Sequence, residues 1–142
     1  MTEADVEISM FERIGGAVIV DRLVESFYKQ MGELPQARAI LEMHPKDLGP
    51  VKNLLKRYLC EWLGGPRLYS AEKGHPRLRQ RHMRFQIGEA ERDAWLLCMM
   101  AALEETVADR EARDEIFVNL AKLANWMRNQ EGNPHDAHHP RP

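Results

Sequence analysis

Gly74-His75-Pro76-Arg77-Leu78-Arg79-Gln80-Arg81-His82-Met83-Arg84-Phe85 is the stretch on which the reading of this chain turns. His82 is flanked by Arg77, Arg79, Arg81 and Arg84 and by apolar residues at Leu78, Met83, Phe85 and Ile87, and Trp95 follows it by thirteen positions. An imidazole beside apolar wall and guanidinium groups suits a cofactor with an apolar body and an acidic edge. Haem has that shape. One histidine nitrogen can hold its iron, and arginine can pair with its propionates through charge-assisted hydrogen bonds.

Working outward, helical periodicity dominates. Val20, Leu23, Val24, Phe27 and Met31 recur at helical spacing just after Gly15-Gly16. Leu48, Val51, Leu54, Leu55, Tyr58, Leu59 and Trp62 make a fuller stripe. Pro50 suits the first turn of that helix, where no intrahelical N–H bond is lost. Gly64-Gly65-Pro66 then supplies a stop. The segment from Gly64 to Gly74 reads as a long irregular connection, a kind that tends to carry function. Trp95, Cys98, Met99, Ala102 and Leu103 line a further helix, whose first turn, Glu89-Ala90-Glu91, puts carboxylates at the positive end of the dipole. Ile116, Leu120, Leu123, Ala124 and Met127 define the last. No alternating strand pattern competes, so the expected fold is all-α.

At 142 residues the chain fits one domain, expected over residues 1–130, with residues 131–142 a disordered polar tail. A net charge of -2, with both signs interspersed, gives no case for nucleic acid or an anionic membrane surface. No apolar run reaches the roughly 18 residues of a membrane span. Met1-Thr2-Glu3-Ala4-Asp5 has none of the basic or apolar character of a secretory signal, so the expected location is cytoplasmic. Cys60 and Cys98 form no CxxC pair, which leaves them as small buried hydrophobes. No CxxCH occurs, so haem would be haem b, held without covalent links. His135, His138 and His139 in the tail read as inert more readily than as a metal site.

Trp62-Leu63-Gly64-Gly65-Pro66, Tyr69-Ser70, Gly74 to Arg79, Arg81-His82 and Phe85 stand in one order and spacing, followed by Ile87-Gly88-Glu89-Ala90-Glu91-Arg92-Asp93-Ala94-Trp95-Leu96. With Phe27-Tyr28 and His44-Pro45-Lys46-Asp47-Leu48 upstream, the set resembles the group II truncated haemoglobins over about residues 10 to 128. The resemblance implies a truncated globin fold, a two-over-two helical sandwich around haem. It implies that His82 is the proximal ligand of a pentacoordinate iron and that Tyr28 and Trp95 point into the distal pocket. His44 falls where relatives carry an aromatic residue and sometimes histidine. Val51 and Leu55, four apart on one helix face, fall at distal positions. Arg84 stands where relatives commonly have proline.

Each residue has a chemical reason for its place. A ligand that gains electron density on binding needs donors, which Tyr28 O–H, Trp95 N–H and an N–H of His44 can supply. Each such bond contributes about 1.5–3 kcal/mol, enough to slow release roughly 10- to 150-fold. Val51 cannot donate, so with Leu55 it forms a dry wall. Arg81 is the first choice for a propionate partner, with Tyr69 a phenolic donor, and Leu78, Phe85 and Ile87 complete the haem-binding set. Arg77 and Arg79 fit a solvated helix face equally well. No catalytic residue is assigned.

Two functions from different classes follow. One is reversible binding of dioxygen by a carrier, store or scavenger. The other is an enzyme acting on nitric oxide or peroxide, with carbon monoxide as a further ligand; lacking a reductase domain, it would need an external reductase. Direct ligation of ferric iron by Tyr28 or His44 stays open beside both.

Overall fold

The computed structural model describes residues 8–74, 82–83, 85 and 87–128. Within these the chain is helical and contains no strand. The helices are α1 (Met10–Ile14), α2 (Ala17–Glu33), α3 (Arg38–Glu42, entered through a 3₁₀ turn at Pro35–Ala37), α4 (Gly49–Trp62), α5 (Leu68–Lys73), α6 (Glu89–Thr106) and α7 (Arg110–Met127). Leu78 and Arg81 lie outside the described residues, as do Arg77, Arg79, Arg84 and the tail.

The apolar stripes become the packing faces. Val20, Leu23, Val24, Phe27 and Met31 of α2 are sealed, none more than 1% exposed. Full burial of such side chains contributes roughly 1.5–3 kcal/mol each, so this face outweighs any surface ion pair. α2 packs most extensively on α6 and also on α4, while α6 packs on α7 and α4 on α5. From α6 come Cys98, Met99, Ala102 and Leu103, all fully buried, and from α7 Ile116 and Leu120. Burial pushes the Cys98 thiol up to about 11 and the Cys60 thiol upward as well, so both stay protonated hydrophobes.

Helix ends follow local chemistry. Asp47 Oδ1 accepts the Gly49 N–H at 3.0 Å ahead of α4, and Pro50 occupies its first turn. Glu91 turns back to accept the Gly88 N–H at 2.7 Å, half of a capping box whose other half a glycine cannot supply. Asp109 caps α7 by accepting the Ala112 N–H at 3.1 Å, and it also takes the Arg13 Nε–H at 2.9 Å, joining α1 to that corner. Across the α2–α4 seam Lys56 reaches Asp21 at 2.8 Å and Glu25 at 2.6 Å, and Lys52 reaches Glu25 at 3.0 Å. Those bonds, Lys56 first, hold the Glu25 carboxyl below the usual range. These pairs are partly exposed, so they orient α4 more than they stabilise it.

The connection after α4 differs from the sequence expectation. Residues 68–73 form α5, so Gly64–Gly74 is not one irregular segment. Glu61 supplies what a short helix lacks: its Oε1 accepts the Ser70 N–H at 2.9 Å, and that bond holds the carboxyl below its usual range. Gly64 takes φ 94°, a left-handed conformation that costs other residues. Gly65 is needed for space. A Cβ there would stand 2.7 Å from the Phe11 ring and 2.8 Å from the Cys60 carbonyl oxygen. The Phe11 N–H donates to Leu63 O at 2.9 Å, which pins α1 onto this corner.

Gly65→Ala should therefore destabilise the fold by about 1–3 kcal/mol, because a carbonyl cannot step aside as a flexible side chain can. Urea unfolding checks it; Phe11→Leu in the same chain should recover only part of the loss.

Candidate functional site: a histidine-bearing apolar crevice

α4 shows where the core is incomplete. Its apolar stripe runs the length of the helix, yet of its fourteen residues only Leu59 and Cys60 are buried. Val51, Leu55, Tyr58 and Trp62 pack against the core while remaining partly exposed, and Trp95 of α6 does the same. An apolar helix face normally ends up against protein. Here part of it is left partly exposed.

A run of rings joins α2, the end of α3 and α6. Tyr28 meets Phe27 edge to face at 5.0 Å between centroids and His44 at 5.6 Å, and Phe27 meets Trp95 at 5.2 Å. The structure thus brings together Tyr28, His44 and Trp95, with Phe27 between Tyr28 and Trp95. Sequence reading placed Phe27 on the core stripe and in the family-matching pair Phe27-Tyr28; its contact with both Tyr28 and Trp95 has no signal in periodicity. Tyr28 is 7% exposed, and neither its hydroxyl nor the Trp95 indole N–H has a protein hydrogen-bond partner among the described residues. Tyr28 is buried and Trp95 half-buried, so both donors are available to a group that enters beside them. Burial pushes the Tyr28 phenol up to about 12, which keeps it a neutral donor.

His44 is half-buried after α3, and its Nδ1 lies 2.7 Å from the Ile40 carbonyl oxygen. A carbonyl only accepts, so the N–H of the neutral ring is committed to its own helix.

His82 and Phe85 form a second group. His82 is half-buried, its ring centroid 6.3 Å from that of Phe85, and the Phe85 N–H donates to His82 O at 3.0 Å. Ile87 is half-buried and Met83 exposed. Tyr69 is buried on α5 and meets Tyr58 edge to face at 5.6 Å. Burial pushes the Tyr58 phenol up to about 12, helped by Tyr69 and Glu61. The Tyr58–Tyr69 contact links α4 to α5, and Tyr58's place on the α4 apolar stripe was the available signal.

A surface groove of about 590 Å³ is lined by Asp21, Glu25, Lys29, Lys52 and Glu105 and shares Tyr28 with the ring cluster. Charged walls do not suit an apolar macrocycle. Among the described residues no group of three histidine, cysteine or acidic side chains could hold a metal ion, and no helix is long and apolar enough to cross a membrane.

The residues present fit haem by their chemistry: a partly exposed apolar face on α4, two donors without partners among the described residues and, at His82, an imidazole. An all-helical domain with those residues can take haem. The model of the bacterial-like globin family matches residues 9–129, and the chain belongs to that family. It is 37% identical to the group 2 truncated hemoglobin YjbI of Bacillus subtilis over 115 residues, which cover 81% of this chain and 85% of that protein. The solved group II 2-on-2 hemoglobin of Agrobacterium tumefaciens superposes with a TM-score of 0.86 at 39% identity, covering 92% of this chain and all of that one. A hemoglobin of Chloroflexus aurantiacus superposes at 0.79 with 41% identity over 87% of this chain. The fold is thus the two-on-two globin fold. The protein is a haem globin that binds oxygen.

The raised phenols make a pH prediction. A phenol whose folded pKa lies above its unfolded value of 10.0 contributes stability in full below pH 10, and that contribution is lost as pH rises through about 12. Melting temperatures of the haem-free chain should fall across that window, and less steeply in Tyr28→Phe. An identical alkaline slope in the variant would remove Tyr28 from the explanation.

Proposed function

We propose that the protein binds dioxygen reversibly at a pentacoordinate haem b iron held by His82, serving as a carrier, store or scavenger in the cytoplasm. The observation that carries this reading is the incompletely buried apolar face of α4 together with two donors, Tyr28 and Trp95, that have no partner among the described residues. Haem, when bound, supplies an iron that takes a diatomic gas. Everything else falls to the chain. His82 holds the group from one side, and a hydrogen bond to its second ring nitrogen fixes its orientation. Val51 and Leu55 exclude water. Trp95 donates to a ligand that gains negative charge, and the apolar contacts of Phe85, Ile87 and Leu78 add retention. Arg81 and Tyr69 are proposed at the propionate edge. Tyr69 would serve there beside Tyr58, whose ring it meets. Residues 1–130 form the globin domain, and residues 131–142 are an appended tail.

A second reading is an enzyme that consumes bound gas, oxidising nitric oxide or reducing peroxide, with electrons from an external reductase. The half-buried His44 imidazole near Tyr28 favours it, since a nitrogen base close to the ligand suits peroxide cleavage. Turnover of nitric oxide or peroxide with a supplied reductant separates this role from simple oxygen binding.

His82→Ala should lose haem to an apo-acceptor protein far faster than wild type and change the ferrous spectrum. Equal retention with an unchanged spectrum would contradict the ligand assignment. Trp95→Phe should accelerate oxygen release by about tenfold and carbon monoxide release much less, since carbon monoxide carries little negative charge when bound. Stopped-flow rates for both gases decide it; equal acceleration would point to opened access instead of a lost donor.

A further inference from the structure

α5 is held in place by a residue that belongs to another helix. Its six residues are too few for a helix to persist alone in water. Arg67, which enters it, gives no side-chain cap, so the N–H groups of its first turn need an acceptor from elsewhere. Glu61, near the end of α4, provides one. Its Oε1 accepts the Ser70 N–H at 2.9 Å, as the side chain of an N-cap residue would. That bond, helped by the Tyr69 N–H, keeps the carboxyl below its usual range, so it stays an acceptor.

Next to Ser70 stands Tyr69, the residue of α5 that is buried, with its ring edge to face on Tyr58 at 5.6 Å. The Tyr69 hydroxyl has no hydrogen-bond partner among the described residues. Two anchors thus act on adjacent residues. The Tyr58 ring fixes where the Tyr69 ring sits, and the Glu61 bond fixes the helical turn from which Tyr69 springs. At the far end of α5, Arg57 Nε lies 3.3 Å from Glu72 Oε2, but both side chains are partly exposed and that pair adds little.

We propose that Glu61 is a positioning residue for haem: by accepting the Ser70 N–H it fixes the turn of α5 that aims the Tyr69 hydroxyl at the acidic edge of the group. The proposal rests on the placement of Tyr69 at the propionate edge given above. Glu61 acts through Tyr69 and not by contact, since a carboxylate has nothing to donate to a propionate. A phenol donating to a charged acceptor makes one of the stronger hydrogen bonds, and its strength falls steeply when the direction is wrong. Aim is therefore what Glu61 contributes.

Transfer of haem from the loaded protein to an apo-acceptor tests this, beside amide exchange at Ser70 in the haem-free chain. Glu61→Ala removes the acceptor and keeps a good helix former in α4. Ser70 exchange rises in it, and haem transfer speeds up about fivefold, the scale of a lost side-chain cap. Glu61→Gln keeps an oxygen that can accept the same N–H, so exchange is unchanged and transfer stays within about twofold of wild type. Tyr69→Phe removes only the hydroxyl and also speeds transfer. Adding Glu61→Ala to it changes transfer no further, because no hydroxyl is left to aim. A general loss of stability would instead multiply the two effects, and that outcome overturns the proposal. So does a wild-type transfer rate in Glu61→Ala, or Ser70 exchange that is the same in all three chains. Transfer as fast in Glu61→Gln as in Glu61→Ala overturns it too, because charge and not the accepted bond would then be at work. Those outcomes leave the pocket reading standing. Tyr69→Phe at the wild-type rate removes Tyr69 from the haem edge, and that part of the pocket reading falls together with the proposal.

Discussion

The apolar face of α4 is the constraint on which the rest of this molecule depends. A stripe from Val51 to Trp62 packs against the helical core and is covered by protein only in part. The sealed α2–α6 seam holds the fold together, and the α2–α4 seam aims the open face. Lys52 and Lys56, clasping Asp21 and Glu25, lie beside Val51 and Leu55. Their value is directional, since exposed pairs of this kind contribute little stability. The Gly64-Gly65 corner closes the other end by letting Phe11 approach the chain where any Cβ would collide.

The donors at the crevice are set by packing that has its own purpose. Phe27 is fully buried and forms part of the core, yet its ring also spaces Tyr28 from Trp95. Core and site are thus one construction. A substitution at Phe27 would change both stability and ligand kinetics, so the two effects cannot be read separately there. Polarity is assigned in a similar economical way. Ile40 lends a carbonyl to His44, and that single bond decides which ring nitrogen of the neutral imidazole carries the hydrogen.

Much of this was legible in the sequence, for identifiable reasons. The long helices α2, α4, α6 and α7 carry several turns of apolar repeat, which periodicity reads directly. α1 and α3 have five residues each, too few for a repeat to show, and both went unread. α5 was taken for irregular chain because its stabilising contact comes from Glu61, nine residues before Ser70. Among site residues, Tyr28, His44 and Trp95 were marked by type and by family position, and they do converge. The Tyr58–Tyr69 contact and the His44 tautomer were not legible, since each depends on where a neighbouring helix puts one atom. Leu78 and Arg81 lie outside the described residues.

If haem is the missing part of the core, its arrival should be felt along α4 before anything is said of oxygen. Amide hydrogen exchange on the haem-free and haem-loaded protein measures this directly. The account predicts that protection across residues 51–62 rises strongly on haem addition, while the already sealed α2–α6 seam changes much less. Protection of α4 that is the same with and without haem would contradict it, because the helix would then have no unfilled face for haem to cover.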